Sequence, residues 1–274
     1  MKRKKENRMS YAVISDIHID INKDCEIVTQ LIEHVSKSVA RALLIAGDIS
    51  DEYQKTIESV ATIKKQLGIP VYYVPGNHDM WSENFEKTST QNIYDAFCHD
   101  SNCLLHGSVQ LDEDTTLIGD IGWYDYSFGS AKFSIEEFER MNYLDRTWQD
   151  KIRNQWTNDN KATNERALKR LEEQLQQVKT KRIIVMTHMV PIEEFTVTNP
   201  NEMWQYFNAF IGSKKLHELY RKYHVTYAIC GHIHYRKRII KDGITYLCPC
   251  LNYASEWEEK DSGKEIMKAM QWIE

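Results

Sequence analysis

The sequence predicts an α/β protein whose core is a set of parallel strands. The first 80 residues alternate short apolar runs with segments of helical periodicity. Five apolar runs along the chain also end directly before polar side chains of the kind that bind metals. Strand–helix–strand order implies parallel strands joined by right-handed crossovers. A length of 274 residues suits one α/β unit with insertions, so we expect one domain over residues 10–274.

The elements of the first third follow from periodicity and from turn residues. Strands are predicted at 11–15, 42–46 and 71–74, and helices at 24–39 and 52–67. The first helix carries Ile27, Leu31 and Val35 four residues apart, which is the spacing of one buried face. Gly47 ends the second strand, and Pro75-Gly76 ends the third.

The rest of the chain repeats this alternation around two irregular stretches. Short alternating runs at 103–122 indicate strands, and a helix at 163–178, strands at 183–186 and 225–230, and a helix at 213–222 follow. Strands at 235–240 and 244–247 flank a turn at Asp242-Gly243. The stretches 123–160 and 191–211 are rich in aromatic residues and lack periodicity. Long irregular segments beside a site are commonly lids, so we expect them to cap the site.

Composition and charge exclude several classes of protein. Apolar residues make up 42% and charged residues 27%, which is typical of a folded globular chain. The net charge of −5 argues against a protein that coats nucleic acid, although a local site can still bind a phosphate. No apolar run approaches the roughly 20 residues of a membrane span.

Two features predict a cytoplasmic location. The charged residues 1–9 are followed by too short an apolar run for a signal peptide, so we expect a solvated basic tail. The six cysteines show no CxxC pair and no framework spacing, which indicates free thiols.

The polar side chains that follow the five strands form a candidate metal site. They are Asp16, His18, Asp48, Asn77, His78, Asp79, His188, His232 and His234. In open parallel sheets, ligands bind at the carboxyl ends of the strands, so these side chains should meet at one edge. Each residue alone could be a turn former or a helix cap, but turn chemistry does not explain so many histidines.

The ligand types narrow the choice of metal. Imidazole, carboxylate and amide groups without cysteine suit Mn, Fe, Zn or Co and argue against a structural thiolate zinc site. The candidates are too many for one tetrahedral ion, and the carboxylate of Asp48 can bridge two. Two divalent ions carry +4 and two aspartates return −2, so the pocket should stay positive and favour a phosphate.

These residues form five blocks in which the chain resembles the calcineurin-like metallophosphoesterase superfamily. The blocks are Asp16-Ile-His18, Gly47-Asp48, Gly76-Asn77-His78-Asp79, His188 and Gly231-His232-Ile-His234. All five occur in the family order and reach from residue 16 to residue 234. The resemblance implies a four-layer αββα sandwich with a site at one end of two facing sheets. To this fold the present chain adds an aromatic-rich insertion in the long stretch between Asp79 and His188, which the family does not share.

The resemblance also implies the activity and the residue roles. It implies a hydrolase that cleaves phosphate esters with a hydroxide activated by two metal ions. One metal would be held by Asp16, His18, Asp48 and His234, and the other by Asp48, Asn77, His188 and His232. His78 would contact the leaving group, and Asp79 would orient His78.

Two alternatives stay open at this point. The five blocks are shared by monoesterases and diesterases, so a phosphodiesterase acting on cyclic nucleotides or other diesters is possible. A non-catalytic binding protein on the same fold would be expected to lose metal ligands or the histidine of the third block, and here they are intact.

Two pairs of residues are candidates for substrate binding. Tyr124 and Tyr126 follow a predicted strand and could stack on an aromatic or nucleoside leaving group. Arg236 and Arg238 share one strand face just past His234 and could hold the phosphate. The alternatives are that the tyrosines pack the underside of the insertion and that the basic run protects an edge strand.

Overall fold

A computed structural model of the chain describes residues 10–84, 86–198 and 200–274, and the basic tail 1–9 lies outside them. The strands are β1 (Ser10–Ile14), β2 (Ala40–Ala46), β3 (Val71–Val74), β4 (Val109–Gln110), β5 (Thr115–Asp120), β6 (Asn142–Tyr143), β7 (Arg146–Thr147), β8 (Arg182–Thr187), β9 (Tyr227–Ile229), β10 (Arg236–Lys241), β11 (Ile244–Pro249) and β12 (Gln271–Ile273). The helices are α1 (Ile27–Ser36), α2 (Tyr53–Leu67), α3 (Thr90–His99), α4 (Ile135–Glu139), α5 (Asp150–Arg153), α6 (Asn160–Gln177), α7 (Glu202–Phe207), α8 (Lys214–Lys222) and α9 (Ser262–Ala269).

The strands form two main sheets. The first has the order β12-β1-β2-β3, with β1, β2 and β3 parallel and β12 antiparallel to β1. The second has the order β10-β11-β9-β8-β5-β4, in which β11, β9, β8 and β5 are parallel. The parallel strands predicted for the first third are confirmed, whereas β12 lay outside the predicted elements.

The alternation of side chains along each strand builds three apolar layers. In β1, Tyr11 and Val13 face the second sheet, while Ala12 and Ile14 face the helices. In β8, Ile184 and Met186 face the first sheet, and the intervening residues face α6 and α8. Because both faces of these strands are buried, the strands are apolar throughout rather than alternating. The predicted αββα sandwich is confirmed.

The helices begin and end where their caps allow. The side chain of Asp159 accepts a hydrogen bond from the amide of Ala162, so α6 begins at 160, three residues before the predicted start. Gly68 has φ of +67° and ends α2 in the left-handed conformation that glycine favours. In the described ranges, no helix is both long and apolar enough to cross a membrane.

The two irregular stretches contain short elements. The segment 123–160 holds α4, the β6–β7 hairpin and α5, and the segment 191–211 holds α7 between two short 3₁₀ turns. Tyr206 and Phe210 of the second segment pack on Phe138 of the first at centroid distances of 5.3 and 6.2 Å. Elements of two to six residues leave too short a pattern for periodicity to reveal them.

Candidate active site

The structure brings the seven predicted metal ligands together at the carboxyl ends of five parallel strands. Asp16 and His18 follow β1, Asp48 follows β2, Asn77 follows β3, His188 follows β8, and His232 and His234 follow β9. The two sheets face each other, so these strand ends open on one crevice.

The ligand atoms of Asp16, His18 and His234 form a first group, all within 4.8 Å of one another. The Nε2 atoms of His18 and His234 lie 3.2 Å apart, and Nε2 of His234 lies 3.8 Å from Oδ1 of Asp16. Nitrogen and oxygen atoms at these separations can bind one cation together, because metal–ligand distances are about 2.0–2.2 Å.

Asp48, His188 and His232 form a second group of the same compactness. Nε2 of His188 lies 3.3 Å from Oδ2 of Asp48 and 3.2 Å from Oδ1 of Asn77. Nδ1 of His232 lies 2.9 Å from the same Asn77 oxygen. Oδ2 of Asp48 is also 3.7 Å from Nε2 of His18, so this carboxylate stands between the two groups.

The backbone at the site adopts a conformation that non-glycine residues rarely take. Positive φ angles occur at Asp16 (53°), His18 (40°), Asp48 (52°), His232 (75°) and His234 (53°). Left-handed non-glycine residues are uncommon and cluster at active sites, where the surrounding structure holds them. Five of the seven predicted ligands are held in this way.

Two glycines make room for the carboxylates. A Cβ atom on Gly76 would lie 2.1 Å from Oδ1 of Asp48, and one on Gly231 would lie 2.4 Å from Oδ2 of Asp16. Both distances are far below van der Waals contact. The glycines that precede Asn77 and His232 therefore let the backbone approach the two acidic groups.

Three imidazoles are oriented by a hydrogen bond from the ring nitrogen that points away from the crevice. Nδ1 of His188 donates to the carbonyl of Ala46 at 2.8 Å. Nδ1 of His234 lies 2.7 Å from Oε2 of Glu256, and Nε2 of His232 lies 3.3 Å from the carbonyl of Phe210. Such bonds fix the orientation of each ring, so its other nitrogen faces the crevice.

The amide of Asn77 is oriented by the buried carboxylate of Asp150. Nδ2 of Asn77 donates to Oδ1 of Asp150 at 2.9 Å, which turns the Asn77 oxygen toward His188 and His232. The same carboxylate accepts the indole N–H groups of Trp81 at 2.8 Å and Trp148 at 2.9 Å. Asp150 thus connects the 123–160 segment to a predicted metal ligand.

The donor set fits a pair of cations. Within the described residues, Oδ2 of Asp16 and Nδ1 of His18 are buried without a hydrogen-bond partner. Buried polar atoms are normally paired, so an orphaned carboxylate oxygen in the crevice indicates a missing partner of opposite charge. Burial lowers the pKa of His232 to about 3 and lowers that of His18 as well, which keeps both rings in the neutral form that metals require.

The charges of Asp48 and His188 stabilise each other. Burial alone would lower the pKa of His188, but the adjacent Asp48 carboxylate raises it to about 9. The pKa of Asp48 lies well below its ordinary value, because His188, His78 and His18 outweigh the effect of burial. Asp48 is therefore an anion that can neutralise positive charge on both sides.

His78 is held by Asp51 and not by Asp79. Nδ1 of His78 donates to Oδ1 of Asp51 at 2.8 Å, and its Nε2 points into the site, 3.9 Å from Oδ2 of Asp48. Asp79 instead accepts the amide of Gly76 at 2.7 Å and the hydroxyl of Thr56 at 2.5 Å. The orienting role predicted for Asp79 is wrong, because its carboxylate is turned into the protein to hold the loop.

The pKa of His78 suits a proton donor. Burial alone would lower it, but the charges of Asp48 and the hydrogen-bonded Asp51 raise it above its ordinary value. The ring also stacks on Trp81 at a centroid distance of 3.6 Å and an angle of 28°. These contacts favour the protonated form of His78 and hold its ring with Nε2 facing the crevice.

A cavity of about 560 Å³ opens above these residues. Asp48, Asn77, His78, His232 and His234 form its polar floor. Its walls include Trp148 from the 123–160 segment, and Val197, Trp204 and Ile211 from the 191–211 segment. Cavities of this size hold most small-molecule ligands.

The predicted tyrosines do not line this cavity. Tyr124 is fully buried, and its hydroxyl donates to Asp150 at 3.4 Å. Tyr126 is 4% exposed, and its hydroxyl accepts from Asn160 at 2.9 Å. The prediction that these rings contact the substrate is wrong, because they form the packed underside of the insertion.

The predicted arginines point away from the cavity as well. Arg236 donates to the carbonyls of Cys250 and Leu251 at 3.1 and 3.0 Å and pairs with Glu265 at 2.6 Å. Arg238 donates to a carbonyl of β12 at 3.2 Å. The predicted phosphate contact is wrong. Their strand, β10, is an edge strand, as the alternative interpretation requires.

Sequence reasoning missed three acidic groups that hold the site. Asp51 stands three residues after Asp48, and this short spacing was the one signal available for it. Asp150 and Glu256 come from segments 73 and 22 residues away from the side chains they orient. No local pattern marks acids of that kind, because their partners meet them only in the folded chain.

Comparisons with known proteins agree with this geometry. The chain matches the model of the calcineurin-like phosphoesterase family over residues 9–236. No curated protein matches it significantly. Its structure is similar to that of a phosphopantetheinyl hydrolase from Mycobacterium tuberculosis, with a TM-score of 0.73, 16% identity, and coverage of 96% of this chain and 95% of that chain. A dimetal phosphatase from Danio rerio is similar with a TM-score of 0.51, 12% identity, and coverage of 88% and 86%.

At these identities the two structures show a shared fold, whereas the family match covers most of the chain, including every strand end at the crevice. The chain therefore belongs to the calcineurin-like phosphoesterase family, a family of hydrolases with a dinuclear metal centre.

Proposed function

We propose that this protein hydrolyses a phosphate ester at a two-metal centre. One metal would be held by Asp16, His18, Asp48 and His234, and the other by Asp48, Asn77, His188 and His232. The observation that carries the proposal is the convergence of these atoms into two compact groups with Asp48 between them. Imidazole, carboxylate and amide donors suit Mn, Fe or Zn ions.

The metals and the protein contribute different parts of the chemistry. When bound, two such ions act as Lewis acids that neutralise phosphate charge and lower the pKa of water. The residues around them keep the ligands in place: Asp150 holds the Asn77 amide, and Glu256 holds the His234 ring. Their contribution is a site that needs little rearrangement when the phosphate arrives.

His78 is the proposed general acid. The attacking water gives up one proton to solvent as its oxygen forms a bond to phosphorus, the bond from phosphorus to the alcohol oxygen breaks, and the departing alcohol takes a proton from Nε2 of His78. The hydrogen bond from Nδ1 of His78 to Asp51 supports the protonated ring during this transfer. His78 would then recover a proton from solvent.

The surroundings of the site complete the proposal. We infer one domain over residues 10–274, in which the segments 123–160 and 191–211 supply walls of the substrate cavity. All six cysteines are free, which suits a reducing compartment such as the cytoplasm. The substrate class is a phosphate-ester small molecule.

The test compares 4-nitrophenyl phosphate with its bis ester on protein supplied with Mn²⁺, Zn²⁺ or Fe²⁺. We expect hydrolysis of at least one ester and two metal equivalents by elemental analysis. Asp48→Asn should lose metal from both positions, since an amide bridges poorly, whereas Asp114→Asn on the exposed surface should behave like the wild type. Wild-type protein that holds two metals and cleaves neither ester would contradict the proposal.

A further inference from the structure

The walls of the cavity are aromatic. Five aromatic side chains line it: Trp81, Trp148, Trp204, Tyr235 and Tyr253. They come from separate parts of the chain, namely the loop after β3, the segments 123–160 and 191–211, and the segments that follow β9 and β11. Each ring is partly exposed, so part of its surface is available to a ligand.

Buried neighbours hold the two tryptophans of the insertions. Trp148 stacks on Phe210 at 5.6 Å and 27°, and its N–H donates to Asp150 at 2.9 Å. Trp204 packs edge-on against Phe207 at 6.4 Å. Rings that are already ordered lose little entropy when a flat ligand packs on them.

Apart from His78, which meets the leaving oxygen, the cavity offers no free charged group to the leaving alcohol. In the part of the chain that the structure describes, no lysine or arginine lines it. Nearby Arg153 pairs with Glu83 at 3.0 Å. Among the acids in the lining, Asp150 is bound by indole and amide N–H groups, and Glu256 by His234. Each of these two carboxylates therefore already has a hydrogen-bond partner, and no lysine or arginine is available to a second anion.

The charges around the floor lead to the same conclusion. Asp51 and Glu256 join Asp16 and Asp48 beside the proposed centre. With Asp150, which holds Asn77, five carboxylates equal the formal charge of two divalent ions and one protonated His78, so the surplus of positive charge expected from the sequence is cancelled. A phosphate is still attracted by ions it touches, but an anion further out is not.

We propose that the natural substrate is a phosphate ester whose leaving alcohol carries a flat, uncharged apolar group that packs against Trp148 and Trp204. This inference rests on the proposed function, because it names the substrate class of the same site. The only anionic group of the substrate is then the phosphate, and the walls recognise the alcohol by apolar contact.

The experiment measures kcat/KM for three aryl phosphates on the metal-loaded protein. Phenyl phosphate and 2-naphthyl phosphate have similar leaving groups but differ by one apolar ring, and 6-carboxy-2-naphthyl phosphate adds one negative charge. We expect kcat/KM for 2-naphthyl phosphate to exceed that for phenyl phosphate by about tenfold or more. The added carboxylate of 6-carboxy-2-naphthyl phosphate should reduce kcat/KM by about tenfold relative to 2-naphthyl phosphate. Calorimetric titration should show that 2-naphthol binds more tightly than phenol, a readout that needs no turnover.

Variants of the cavity tryptophans test whether these side chains cause the preference for 2-naphthyl over phenyl phosphate. Trp148→Ala and Trp204→Ala should each reduce the naphthyl-to-phenyl ratio toward one, and Trp204→Phe should restore most of it. Trp156→Ala is the matched control, because Trp156 lies in the same insertion but packs on Trp123 at 5.4 Å, outside this cavity. It should leave the ratio unchanged.

The outcomes separate this inference from the proposed function. Equal rates on the three esters, or a preference that survives in both tryptophan variants, would overturn the inference while phosphate ester hydrolysis stands. Loss of activity on all three esters, together with equal binding of phenol and 2-naphthol, would overturn both.

Discussion

Asp150→Ala should weaken metal binding although Asp150 contacts no metal. Its carboxylate is 2% exposed and accepts the amide of Asn77, which is 3% exposed. Without this acceptor, the side-chain N–H of Asn77 is buried and unpaired whenever the Asn77 oxygen faces His188 and His232. That costs about 1–3 kcal/mol. Converted to affinity, the cost is roughly 5- to 150-fold, which spans the 10- to 100-fold effect typical of such partners.

The isosteric variant sharpens this prediction. In Asp150→Asn, one oxygen remains, and it can still accept from Asn77 and Trp81, which share Oδ1 in the native protein. The new NH₂ group would then face the indole N–H of Trp148 and lose that bond. We therefore expect metal affinity close to that of the wild type but a higher KM for aryl phosphates.

The assay is a Mn²⁺ titration by calorimetry that resolves two binding events. The Mn²⁺ affinity of the position that contains Asn77 should fall in Asp150→Ala. In Asp150→Asn, the same affinity should stay within about threefold of the wild-type value. Asp145→Ala, an exposed change in the same segment, is the control. Thermal melting of each variant separates a loss of affinity from a loss of folding. Two wild-type binding events in folded Asp150→Ala would refute the reasoning.

Three further predictions concern the proposed general acid His78, a glycine beside Asp48, and the two arginines of β10. His78→Ala should keep both metals and lose about 10²- to 10⁴-fold in kcat on alkyl esters, but less on 4-nitrophenyl phosphate, whose leaving group needs no proton; equal losses on both esters would exclude the acid role. Gly76→Ala should abolish metal binding, because its Cβ would overlap Asp48, whereas Gly68→Ala, with open space around it, should keep both metals and cost about 1–2 kcal/mol. Arg236→Gln with Arg238→Gln should leave KM unchanged and lower the free energy of unfolding by about 1–3 kcal/mol, since both side chains bind structural groups; a raised KM would restore them to the substrate site.

The strands and the candidate metal ligands could be predicted from the sequence because both depend on the order of residues within a short stretch of chain. A buried parallel strand is a continuous apolar run, and its carboxyl end is where the next polar residue must lie, so the positions of Asp48 and His188 follow from the chain alone. The edge strand β12 escaped prediction because three residues, two of them only partly buried, do not form a recognisable run. The turn at Asp242-Gly243 was predictable because both residues tolerate the positive φ that a tight hairpin needs.

What could not be predicted is which acid each imidazole or amide would meet. Asp79 is adjacent to His78, and sequence proximity suggested that the two interact. In the folded chain, the Asp79 carboxylate accepts the amides of Ser50 and Gly76. The partner of His78 is instead Asp51, from the loop after β2. Adjacent residues after a strand point in different directions, so proximity in sequence is weak evidence for a hydrogen bond.

The two irregular segments connect substrate recognition to the metal site. The 123–160 segment supplies Asp150 to the Asn77 amide, and the 191–211 segment supplies the Phe210 carbonyl to the ring of His232. Asn77 and His232 belong to the same proposed metal position, and Trp148 and Trp204 of these segments face the cavity above it. A change that displaces either segment should therefore alter both substrate preference and the affinity of that one metal. The first metal group, whose outer partner Glu256 comes from the segment after β11, should be unaffected.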